Sequence, residues 1–83
     1  MYNLFLQPPA ERFLKKLDKN LKERIIKKIE ELITNPRIGI PLTGNLSGLW
    51  KLRIGDYRAI YQIFEDRIII SVLRIEHRKN VYD

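Results

Sequence analysis

Two periods divide the chain. From Leu49 to Phe64 apolar residues recur at every second position, and from Ala10 to Ile33 at every third or fourth. The first pattern predicts a β-hairpin. Trp50, Leu52 and Ile54 fall on one side of a strand, Lys51 and Arg53 on the other. Gly55-Asp56 suits a two-residue turn, because Gly accepts the positive φ that such turns require. Tyr57 to Phe64 returns as the partner strand. That turn sets Ile54 opposite Tyr57, Arg53 opposite Arg58, Leu52 opposite Ala59 and Trp50 opposite Tyr61. Glu65-Asp66 predicts a second tight turn, with a register less firmly set because it lacks Gly. Arg67 to Ile75 follows as a further strand, with Ile68, Ile70 and Val72 extending the apolar face beside Ile63, Tyr61 and Ala59.

The helical period predicts two helices. Ala10 to Leu17 carries Phe13, Leu14 and Leu17 on one face, behind Pro8 and Pro9, which suit a helix start because the missing N–H is not needed there. Asp18 is placed to cap the next helix. Leu21 to Ile33 carries Leu21, Ile25, Ile29 and Leu32 in one stripe, widened by Ile26 and Ile33. Asn35-Pro36 ends it, since the residue before proline disfavours helix. So short a break between helices predicts an antiparallel pair. Tyr2 to Leu6 reads as a first strand. Arg37 to Gly48, with Gly39, Pro41, Gly44 and Gly48, reads as a loop of no regular period, long enough to carry function. Beyond Ile75 the chain turns polar, and one helical turn would put Arg78 and Tyr82 on a single face. The order β-α-α-β-β-β predicts an α+β domain: an N-terminal strand, a helix hairpin and a three-stranded antiparallel meander, with the helices on one face of the sheet.

Length and charge narrow the classes. With 83 residues, the chain is expected to form one domain over residues 1–83. There is no cysteine, which excludes a disulfide scaffold and a thiolate zinc site. Met1-Tyr2-Asn3 lacks the basic and long apolar segments of a signal peptide, and no apolar run approaches the roughly 20 residues of a membrane span. A cytoplasmic protein with no membrane partner is the expectation. Sixteen Lys and Arg against ten Asp and Glu give a formal charge of +6. That balance favours a polyanionic partner: nucleic acid, an acidic protein or an anionic surface. No Gly-rich phosphate loop, HExxH motif or metal-ligand cluster is present in the sequence, and the spacing of Ser47, Ser71 and His77 supports no catalytic triad. His77, the single histidine, is as readily a surface residue as an acid–base group.

The cationic side of the hairpin is the candidate site. Two arginines, Arg53 and Arg58, face each other, with Lys51 two residues along. Like charges directly across a sheet are destabilising, so an arrangement that keeps them is suited to an anion. Lys51, Arg53, Arg58 and Arg78 together could surround one phosphodiester, since guanidinium donors match phosphate oxygens and do not titrate away. Charge that builds on a phosphoryl group under attack by a ribose 2′-hydroxyl would be stabilised there without a metal. Such a cleavage also needs a proton acceptor at the 2′-oxygen. Lys51 is one candidate, and Tyr82 is another. The same face would equally bind RNA or an acidic protein without chemistry, or stand simply solvated.

The run Gly48-Leu49-Trp50-Lys51-Leu52-Arg53-Ile54-Gly55-Asp56-Tyr57-Arg58-Ala59-Ile60-Tyr61, the ending His77-Arg78-Lys79-Asn80-Val81-Tyr82 and the element order together resemble the RelE/ParE superfamily of toxins from toxin–antitoxin modules. The resemblance spans essentially the whole chain. It implies the RelE-like fold and, for the RelE branch, a toxin that enters the ribosomal A site and cuts mRNA by metal-free 2′-hydroxyl attack, with no cofactor. That branch carries two basic residues before the turn, an Arg after a Tyr in the next strand, and a C-terminal Arg and Tyr. Carried over, these are Lys51, Arg53, Arg58, Arg78 and Tyr82. The second basic residue is Arg53 rather than Lys, a poorer proton carrier and a better phosphate clamp. The chain also stops one residue past Tyr82, with no terminal helix. The resemblance implies three partners: an acidic, partly disordered antitoxin of the RelB kind, mRNA and the ribosome. The ParE branch, which poisons DNA gyrase, and an inert antitoxin-binding module are the alternatives.

Overall fold

The computed structural model describes residues 1–78. Strand β1 (Asn3–Leu6) leads into helices α1 (Pro8–Lys15) and α2 (Lys19–Glu30). Single 3₁₀ turns follow at Glu31–Ile33, Pro36–Ile38 and Gly44–Leu46. The remaining strands are β2 (Ile40–Pro41), β3 (Trp50–Ile54), β4 (Tyr57–Phe64) and β5 (Ile69–His77). They form one five-stranded sheet in the order β1-β5-β4-β3-β2.

Local chemistry sets the helix boundaries. Helix α1 begins on Pro8, two residues earlier than the apolar stripe suggests, because both prolines fit its first turn. The side chain of Gln7, at the N-cap position, makes no capping bond; its amide donates instead to Ser71 Oγ on β5 at 2.8 Å. Asp18 caps α2 as expected, accepting from the Leu21 N–H at 2.9 Å. Beyond Glu30, α2 tightens into the 3₁₀ turn Glu31–Ile33 before Asn35-Pro36 ends the run.

The hairpin register matches the expectation at every pair: Ile54 with Tyr57, Arg53 with Arg58, Leu52 with Ala59, Trp50 with Tyr61. Gly55 takes φ +58° at the turn. The meander β3-β4-β5 is antiparallel, but the sheet as a whole is mixed, because β1 lies parallel to the outer side of β5. The expected Arg37–Gly48 loop also contributes a strand. Ile40 and Pro41 pair with Lys51 and Trp50 on the sheet edge. Two residues leave no readable period, and a proline is tolerated there because an edge strand needs no second row of donors.

The second turn differs from the expectation. It spans Glu65 to Ile68, so that Phe64 pairs with Ile69. Ile68 is therefore not a core residue: it sits in the turn at φ +55°, with about half its surface exposed. Further along, Ile60 pairs with Arg74 while Tyr61 pairs with Val72, which leaves Leu73 as an extra residue in β5. This bulge changes the face on which the strand's residues fall. Val72 and Ile75 consequently both point into the core, although a strict period of two would separate them. The core joins Ala10, Leu14, Ile25, Ile29 and Leu32 of the helical layer to Leu52, Ala59, Tyr61, Ile70, Val72 and Ile75 of the sheet. No helix among the described residues is long and apolar enough to cross a membrane.

Candidate nucleic-acid cleft

The alternation that sends Leu52, Ala59 and Tyr61 under the helices sends Lys51, Arg53, Arg58 and Ile60 to the other face. On β5 the residues paired with that face are Arg74 and Glu76. Arg58 lies on the central strand between Arg53 and Glu76, and its flanking strands reduce its exposure to 8%. A guanidinium so placed is held by its surroundings rather than swept through solvent.

Arg78 reaches the same place by a backbone contact. Its N–H donates to the Asp56 carbonyl in the hairpin turn at 2.8 Å, which extends the β4–β5 pairing past His77. Lys51, Arg53, Arg58 and Arg78 thereby line one cleft of about 370 Å³. Ile38, Gly39 and Ile40 form another part of its lining, and the Lys28–Glu31 ion pair of the α2 end, at 3.3 Å, stands at its rim. Of the five site residues proposed from the sequence, four are thus brought together. Tyr82 lies outside the described residues.

Three features escaped the sequence. Glu76 is a carboxylate on a face read as wholly basic. Its Oε2 is 3.5 Å from Arg74 Nε, and its Oε1 is buried with no hydrogen-bond partner among the described residues. It was missed because β5 runs on to His77, past the point where the apolar pattern stops. Tyr61 was assigned to the core, and its ring is there, stacked on Trp50 at 6.2 Å. Its hydroxyl does more, accepting from the Gly39 N–H at 3.2 Å and donating to the Pro36 carbonyl at 2.7 Å. A buried tyrosine hydroxyl needs such partners, and that rule was the available signal. Burial raises the Tyr61 pKa above its usual value, against a smaller lowering by the Gly39 bond. His77 packs edge-on against Tyr57 at 4.9 Å, and Tyr57 against Phe13 at 5.9 Å, so its ring belongs to an aromatic row at the end of β5.

The cleft offers four cations over a short span, beside an apolar wall. Its chemistry fits a phosphodiester strand: guanidinium forks for phosphoryl oxygens and a lysine amine within the same cavity. Among the described residues, no three of His, Cys, Asp or Glu gather closely enough to hold a metal ion.

Comparison with known proteins identifies the family. Residues 4–82 match the sequence profile of a family described as ParE toxin of type II toxin-antitoxin system, parDE. The toxin RelG of Mycobacterium tuberculosis is 30% identical over 83 residues, covering 98% of this chain and 95% of that protein. The mRNA interferase toxin RelE of Escherichia coli is 30% identical over 74 residues, covering 83% of this chain and 78% of that one. Among solved structures, the toxin–antitoxin complex RelBE2 from Mycobacterium tuberculosis contains a chain that superposes with a TM-score of 0.84 at 30% identity, over 93% of this chain and 91% of that one. The intact RelBE toxin–antitoxin complex of Escherichia coli gives a TM-score of 0.77 at 25% identity, over 93% of this chain and 96% of that one.

Proposed function

The chain belongs to the RelE/ParE superfamily of type II toxin–antitoxin toxins, and from that premise we propose that it is a metal-independent endoribonuclease that cuts mRNA in the ribosomal A site. The observation that carries this reading is the gathering of Lys51, Arg53, Arg58 and Arg78 in one cleft, with Arg58 buried in its floor. In the proposed reaction the ribose 2′-oxygen attacks the adjacent phosphorus. The bond from phosphorus to the 5′-oxygen breaks, leaving a 2′,3′-cyclic phosphate and a 5′-oxygen that takes a proton from solvent water to become the 5′-hydroxyl. Arg58 stabilises the charge that builds on the phosphoryl oxygens. Arg78 supports it and the leaving oxygen. Arg53 holds the strand's backbone, and Lys51 or Tyr82 takes the proton from the 2′-hydroxyl. The partner that silences the toxin is an antitoxin of the RelB kind, in keeping with the antitoxin complexes among its structural neighbours and with the +6 charge.

The ParE name of the matching profile is the one observation for a second reading, inhibition of DNA gyrase. Primer extension on an mRNA under translation in a cell-free system, with and without ribosomes, separates the two. New ends inside codons that require ribosomes support the A-site nuclease. Cuts without ribosomes mean a free ribonuclease, and none from a folded protein favours the gyrase reading, to be tested by DNA supercoiling. Arg58→Ala is expected to lower cleavage by about 100- to 1,000-fold while keeping the fold. Full cleavage by a folded Arg58→Ala protein would remove the central assignment.

A further inference from the structure

We propose that Ile38, Gly39 and Ile40 form a shelf for one nucleobase of the bound strand, next to the cations that hold its phosphate. The inference rests on the ribonuclease reading and adds a specificity element to it. The starting observation is an apolar surface where charge prevails. Ile40 is 57% exposed, yet it stands in the cleft directly across from Lys51, its partner in the β2–β3 pairing. Ile38, half-buried, lines the same wall.

The wall is built rather than draped. A single hydroxyl, that of Tyr61, joins both ends of the Pro36–Gly39 turn, taking the Gly39 N–H and giving to the Pro36 carbonyl. Gly39 rests so close to the sheet that a Cβ there would lie 2.5 Å from both the Lys51 carbonyl and the Tyr61 hydroxyl. The segment is therefore pressed onto β3 and β4, and Ile40 projects from a fixed base. A cavity of about 370 Å³ with one cationic part and one apolar part matches the two halves of a nucleotide, whose phosphate is an anion and whose base presents an apolar face. An acidic peptide would satisfy the cations too, but a compact pocket that sets an apolar wall beside guanidiniums favours a nucleotide.

The shelf has a definite recognition consequence. Isoleucine side chains and a glycine backbone offer a base no side-chain hydrogen-bond donor or acceptor. Recognition at this position is then by area, with purines held better than pyrimidines and little discrimination within either class.

The test uses the full chain and short fluorescent oligoribonucleotides, 2′-O-methylated at every position so that they cannot be cut. One strand carries adenine at each position in turn, and its twin carries an abasic site. Anisotropy titration at low salt is expected to show the wild type preferring the adenine strand roughly three- to tenfold at one position. Ile40→Ser should abolish that preference, with the abasic strand's affinity still set by the four cations. A preference fully retained in Ile40→Ser would overturn the shelf. A direct check is a nuclear Overhauser contact between the base protons and the Ile40 methyls of the wild type, which covers the case of a misfolded variant; its absence from a saturated complex would also overturn the shelf. Failure of both strands to bind the wild type, or equal binding by Arg58→Ala, would instead strike the cationic cleft, and the shelf with it.

Discussion

The two faces of the sheet are cut from the same strands and obey opposite rules. On the helix-covered face, cross-strand neighbours agree: Leu52 with Ala59, Ala59 with Ile75, Tyr61 with Val72. On the open face they conflict: Arg53 stands against Arg58 with Lys51 alongside, and Glu76 on β5 opposes the charge. Agreement on one face supplies the burial that holds the domain together. Conflict on the other is a cost that an anion, on the function proposed above, would relieve. On that reading, stability and binding are separated by a single residue step along β3 and β4.

Mutations that respect this division should act on one property at a time. The largest expected effect is in the core. Ile70 is fully buried on β5, and Ile70→Ala removes its contacts with both layers. The cost is expected at about 2–5 kcal/mol, read by urea denaturation. A domain of this size has only roughly 4–12 kcal/mol in total, so the variant will be partly unfolded when warm. Cleavage per folded molecule should remain near that of the wild type. Arg58→Ala is the mirror case, with cleavage lost and the melting transition retained. A variant of either kind that damaged both properties equally would break the division.

Tyr61 tests where the division is bridged, because its ring belongs to the core and its hydroxyl to the wall of the cleft. Tyr61→Phe leaves the Pro36 carbonyl without that donor. It is expected to lose about 1–3 kcal/mol of stability and to loosen the Ile38–Ile40 wall, raising KM more than it lowers kcat. The pH dependence gives a separate reading. Burial raises the Tyr61 pKa in the folded chain, so the folded state holds the phenolic proton more tightly than the unfolded state does. The hydroxyl's contribution is intact below pH 10.0, the ordinary value, and is lost as the pH climbs above it towards the folded value. Denaturation midpoints of the wild type should fall across that alkaline range, and those of Tyr61→Phe should fall less. Parallel curves would mean that the hydroxyl does not govern the alkaline limb.

How much of this was legible in the sequence differs between the faces for a physical reason. The hairpin register, the Asp18 cap and the helix stripes follow from periods and local bonds, which adjacent residues encode. So does the cationic set of Lys51, Arg53 and Arg58, because a two-residue turn fixes who faces whom. What escaped depends on contacts between distant segments. The pairing of β1 with β5, the strand made by Ile40 and Pro41 and the bond from Tyr61 to Pro36 leave no periodic trace. The bulge at Leu73 hid the inward turn of Ile75, and Ile68 was misplaced because the second turn is two residues longer than its polar residues suggest. Arg78 was joined to the site from the polar end of the sequence, without a contact to hold it there, and the chain locates it through a backbone bond to Asp56.

The smallest expected effect is the sharpest test of the opposition between the faces, because its two halves have opposite signs. Arg53 is exposed and stands across from Arg58 in the hairpin. Arg53→Thr removes a like-charge pair and introduces a residue with high strand propensity. Thermal stability should therefore rise, by roughly 0.2–1 kcal/mol at low salt. The gain should shrink as salt screens the repulsion in the wild type. Binding of an uncleavable oligoribonucleotide should weaken at the same time, with a shallower dependence on salt because one phosphate contact is gone. A residue whose removal makes the protein more stable and less able to bind is one that the fold tolerates on behalf of its ligand. If Arg53→Thr instead lowered stability, the two arginines would be part of the framework, held by interactions that outweigh their repulsion. If it raised stability and left binding untouched, the anion would sit on Lys51, Arg58 and Arg78 alone, and the clamp assigned to Arg53 would fall.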